Sequence, residues 1–133
     1  MTPNPDILTD FDAWIVATYA ETQGFTMLIV LLGIRGNKVD LLRSAHLHLI
    51  GDELRWPELA AHLDGAGIAW DAVALYRAGR EGLISDDIAR DRLAELTAAL
   101  RGDRTLIRHA EFFNRDGLAL RLDDADPAPP RLN

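Results

Sequence analysis

The sequence predicts an α+β fold: a mostly antiparallel sheet of about five strands with two hairpins, and three to four helices packed mainly on one face. Three observations predict it. Residues 25–32 form a short, continuously apolar run. Two stretches alternate apolar and polar residues around turn signals, at Gly51-Asp52 and at Asn114 to Gly117. Between and around them lie capped segments with helical spacing. With 133 residues, 48% of them hydrophobic, residues 1–123 suffice for one core and are too few for two.

The elements follow in order. Thr9 can accept from the backbone of Asp12 while the Asp12 carboxylate reaches back, a variant of the capping box. Phe11, Trp14, Ile15 and Thr18 then share one face of a helix, and Gly24 stops it. Phe25 to Leu32 reads as a strand covered on both sides. A two-residue turn at Gly51-Asp52 would pair residues 45–50 with 53–56, placing Leu47, Leu49, Leu54 and Trp56 on a dry face. His46, His48, Glu53 and Arg55 would then share the wet face. Pro57, Leu59, Leu63 and Gly65 outline a helix. An Asp71 cap suggests a short helix over 71–79, although the alternation of Val73 and Leu75 with Ala72 and Ala74 also permits a strand. Ser85 caps a further helix with Ala89, Leu93, Leu96 and Leu100 on its stripe and Gly102 at its end.

In the second hairpin Asn114 opens the turn and Gly117 takes the left-handed position. Pairing Asn114 with Leu118 sets Phe112 opposite Leu120 and Ala110 opposite Leu122, with Glu111 facing Arg121 and His109 facing Asp123. Strands are expected near 106–113 and 118–122. Phe113 falls on the outer side. Pro127, Pro129 and Pro130 mark 124–133 as a tail that buries too little to order itself.

Composition excludes whole classes of function. Without cysteine there is no disulfide framework, thiolate-bound zinc, iron–sulfur cluster or cysteine nucleophile. A net charge of −7 disfavours nucleic acid and membrane surfaces. No basic residue precedes Arg35, so the chain lacks the basic start of a secretory signal. The longest apolar stretch is well short of the roughly 20 residues a membrane span needs. A cytoplasmic location is the resulting expectation. Lys38 is the single lysine among 14 bases, which together with abundant Ala, Asp and Leu points to a GC-rich, bacterial coding sequence.

Three constellations carry chemistry. His46 and His48, two apart on a strand, point the same way and can offer two imidazoles to a metal, with Glu53 or His109 as further ligands. Gly33-Ile34-Arg35-Gly36 followed by Lys38 has the Gly-x-x-Gly spacing of KH domains, where such a loop clamps a single-stranded backbone and leads into a helix, here 37–43. The acidic whole argues against it, and the Walker spacing is absent. Phe113 and Trp56 are aromatics beyond what one small core needs on one face, and such residues mark interfaces. The two serines form no nucleophile elbow, and the clusters at Asp86, Asp87, Asp91 and at Asp123, Asp124, Asp126 do not match a calcium loop. No cofactor is implied. The sequence therefore reads first as a small acidic binding or regulatory module. It would act through contact with a protein partner or a second copy of itself, without catalysis. A metal- or ligand-binding domain using the His46, His48 and Glu53 face is the alternative, and a KH-like binder the third.

Overall fold

The computed structural model describes residues 7–36, 38–78, 82–103, 106 and 110–120. In chain order they form α1 (Asp10–Thr22), β1 (Phe25–Arg35), β2 (Lys38–Leu49), α2 (Trp56–Asp64), β3 (Ala72–Arg77), α3 (Asp86–Gly102) and β4 (Glu111–Asn114). The fold is α+β, with four strands and three helices among the described residues. The sheet runs in the order β2-β1-β3-β4 with every neighbour antiparallel. No helix among these residues is long and apolar enough to cross a membrane.

The helices lie on both faces of the sheet, not mainly on one. Phe25, Met27, Ile29 and Leu31 of β1 join Val73, Leu75 and Phe113 in a core closed by Phe11 and Ile15 of α1 and by Trp56, Leu59 and Leu63 of α2. The alternate residues, Leu28, Val30 and Leu32, face Leu93, Leu96 and Leu100 of α3. Ala72 and Ala74 on that side are fully buried, and their small side chains let α3 lie close to the sheet. Cover on two faces explains why residues 25–32 are apolar without alternation.

The expected helix starts hold. Thr9 accepts from Asp12 N–H at 3.0 Å, and Ser85 accepts from Ile88 N–H at 3.3 Å. The Asp12 carboxylate, almost wholly buried, accepts from Leu8 N–H at 3.2 Å and from Trp56 N–H at 2.7 Å, tying α1 to the start of α2. Buried carboxylates persist when backbone donors replace their water.

The first hairpin differs from expectation. Gly51-Asp52 is not its turn, and residues 53–55 form no strand. β2 instead folds back on β1, with Arg35 paired to Lys38, so the connection is Gly36 and position 37, and Gly36 has φ +60°. Gly-Asn is itself a two-residue hairpin signal, and 11 residues of β2 pair along β1 where the other register offered four pairs. The expected KH-type helix over 37–43 is thus strand, apart from residue 37, which lies outside the described residues. Between Leu31 and Leu32 the register shifts, leaving Leu42 as an extra residue bulged from β2. Residues 72–77 are a strand, not a helix, lying between β1 and β4.

The second turn holds. Asn114 N–H donates to Leu118 O at 2.9 Å, Leu120 N–H to Phe112 O at 2.9 Å, and Gly117 has φ +77°. Beyond Asn114 the return is a single bridge, Phe113 to Ala119, not a regular strand over 118–120. The pairs expected with Arg121, Leu122 and Asp123, and the 124–133 tail, lie outside the described residues.

Candidate metal centre

β2 is an edge strand, and pairing with β1 sets the direction of its side chains. Leu47 and Leu49 lie opposite Met27 and Phe25 on the α1–α2 side, while His46 and His48 lie opposite Leu28 and Thr26 on the α3 side. The leucine and imidazole faces separate as the alternation predicts. The histidine face is not simply solvated, because the first turn of α3 lies over it.

Ser85 caps α3 and makes Asp86 its first residue. One carboxylate oxygen, Asp86 Oδ1, lies 2.6 Å from His48 Nε2 and 3.0 Å from His46 Nε2. The rings are 5.3 Å apart and tilted by 63°, so both aim at the same point. Their side chains are 19% and 30% exposed for His46 and His48, against 63% for Asp86, which places the imidazoles under a carboxylate lid open to water. Hydrogen bonds from His48 and then His46 hold the Asp86 carboxyl below the usual carboxylate range. The positive end of the α3 dipole favours the same anion.

Behind His48 the network continues into the protein. Its Nδ1 is 2.8 Å from Thr26 Oγ1, and that oxygen also accepts Ile84 N–H at 3.1 Å. Hydroxyl, imidazole and carboxylate in series resemble the parts of a nucleophilic triad. Thr26 is fully buried and cannot meet a substrate, so the series orients His48 and supplies no nucleophile.

Among the described residues, His46, His48 and Asp86 are the one group of three whose ligand atoms converge, all within 4.8 Å of one another. Two nitrogens and one oxygen suit zinc and its first-row neighbours better than calcium or magnesium. Around a tetrahedral ion with bonds near 2.05 Å, ligand atoms stand roughly 3.3 Å apart. Asp86, exposed at the surface, would need to draw its oxygen back by about 0.7 Å from His48 Nε2, now at 2.6 Å, and by about 0.3 Å from His46 Nε2, now at 3.0 Å.

The other expected site residues lie elsewhere. Glu53 is exposed in the connection to α2 and is not part of this group. Arg55, expected on the same wet face as His48, instead donates to the carbonyls of Asp52 and Leu54. His109 lies outside the described residues. Gly33 pairs with Asp40 within the sheet, Gly36 turns the hairpin, and Arg35 is engaged by Asp40 at 2.8 Å; Lys38 is exposed beside them. Phe113 and Trp56, expected at an interface, are 2% and 4% exposed. Phe113 meets the edge of Phe11 at 5.6 Å, and Trp56 Nε1 donates to Arg115 O at 2.8 Å. The second helical layer absorbs both. Asp86 was missed as a ligand because its place after Ser85 is already explained by capping.

Family models, curated proteins and solved structures were compared with the chain, and none matches.

Proposed function

We propose that this protein binds a first-row divalent cation of the zinc class through His46, His48 and Asp86, joining the edge strand β2 to the start of α3. The supporting observation is the convergence of both Nε2 atoms on a single oxygen of Asp86, at 2.6 and 3.0 Å. Two imidazoles two apart on a strand are a weak signal, but a carboxylate brought to them from 38 residues away completes a ligand set. Three protein ligands leave a coordination position for water or a partner's donor. The reading through protein contact has lost its two named aromatic anchors to the core, and the KH-like reading has lost its helix.

Calorimetric titration of chelator-treated protein with zinc tests the proposal. One ion per chain is expected, with binding abolished in His48→Ala and weakened in Asp86→Asn. A wild-type chain that takes up no stoichiometric ion, or whose uptake survives His48→Ala, refutes it.

A further inference from the structure

We propose that the Thr26 hydroxyl sets the tautomer of His48 and so acts as a brake on metal uptake, an inference resting on the metal-binding reading above. Thr26 Oγ1 is fully buried and has one proton to give. One of its lone pairs is already committed, because Ile84 N–H, a donor only, points at it from 3.1 Å. Its other neighbour is His48 Nδ1 at 2.8 Å. If Nδ1 carried the proton, the threonine proton would have no acceptor, since no other partner of this hydroxyl exists among the described residues. With the hydroxyl donating to Nδ1, every group is satisfied, and the ring proton must sit on Nε2, where it meets Asp86 Oδ1 at 2.6 Å.

A metal needs that same Nε2 as a lone pair. Uptake therefore sends the Nε2 proton to water, and water returns one to Nδ1, with no net release. The Thr26 proton then loses its acceptor. His46 bears no such restraint, since Asp86 is its one hydrogen-bonding partner among the described residues. Thr26 is thus a positioning residue acting through His48.

Removing the hydroxyl should relax the restraint. In Thr26→Val the cost of leaving Ile84 N–H unpaired is the same with and without metal and cancels. Zinc affinity is then expected to rise roughly tenfold, the worth of one buried hydrogen bond, and Thr26→Ser should restore the wild-type value. A merely structural role would not move the second readout, the ring-nitrogen NMR pattern of His48 in metal-free protein. It should show the proton on Nε2 in the wild type and Thr26→Ser, and a mixture in Thr26→Val. A metal-free wild type with the proton on Nδ1 overturns the inference, as does Thr26→Val binding zinc no tighter than Thr26→Ser. If Thr26→Val does not fold, the wild-type ring pattern decides. If no variant binds zinc, the metal reading falls, while the ring pattern still decides the tautomer.

Discussion

Replacing Gly117 by alanine separates two costs that a glycine at positive φ normally hides together. At φ +77° any L residue is strained, and a methyl group there would lie 2.6 Å from Trp56 Cγ and 2.9 Å from Cδ1 and Cδ2. The indole cannot retreat easily. Its Nε1 is bonded to Arg115 O at 2.8 Å, and Phe11 and Trp70 meet it edge-on at 5.3 and 6.1 Å. Gly36, at φ +60°, is the control, since a methyl group there meets nothing within 4 Å. The left-handed conformation costs an L residue about 1–2 kcal/mol at either site. Overpacking against a fixed ring adds about 1–3 kcal/mol at Gly117 alone. Gly36→Ala should therefore lose about 1–2 kcal/mol and Gly117→Ala about 2–5 kcal/mol. Urea denaturation followed by tryptophan fluorescence and circular dichroism measures both, and an unchanged m-value would show that the midpoint shift reports stability. Equal losses in the two variants would refute the claim that Trp56 is locked against the turn.

Other expectations follow from burial and charge. Phe113→Ala should cost about 3–5 kcal/mol by denaturant melt, whereas an exposed interface residue would change stability by less than about 0.5 kcal/mol. The Tyr76 hydroxyl is buried and has no partner among the described residues, so Tyr76→Phe should be neutral or stabilise by about 1 kcal/mol in the same assay. Burial pushes the Tyr76 phenol up to about 12 from 10.0; its contribution is intact below 10.0 and is lost as pH rises toward 12, so Tyr76→Phe should melt with less alkaline sensitivity. At the acid end, a hydrogen bond from Arg115 holds the Asp64 carboxyl below 3.8. The stability it contributes is present above 3.8 and is lost as pH falls through the lowered value, so Asp64→Asn should flatten the acid limb of a pH series of thermal melts.

Local rules carried much of the fold into the sequence. Thr9, Ser85, Pro57 and the Asn114 to Gly117 turn specify their own neighbourhoods through hydrogen bonds spanning a few residues, and the structure bears them out. Pairing choices were less legible. Residues 45–49 alternate equally well against 53–56 and against 25–29, and only the second choice buries Phe25 and Met27 beneath two helices. The imidazoles were legible as a pair, because the period of a strand is local. Their third partner was not, because Asp86 reaches them only through the placement of α3. The aromatics failed for a related reason: with cover assumed on one face, Phe113 seemed to point at water, whereas a second layer made its side of the sheet interior.

The extra residue at Leu42 changes which sequence positions share a side of β2. Before it, Val39 and Leu41 face α3 opposite Ile34 and Leu32; after it, Ser44, His46 and His48 do so, opposite Val30, Leu28 and Thr26. Odd numbers and even numbers are brought to the same surface by one insertion. Excising Leu42 would simply straighten β2, with Arg43 opposite Leu31 following Leu41 opposite Leu32, so that Val39, Leu41, Ser44, His46 and His48 keep their shared face. A ladder that paired Leu42 with Leu31 would instead set His46 opposite Met27 and His48 opposite Phe25, on the far side from Asp86, so the centre depends on that residue staying out of register.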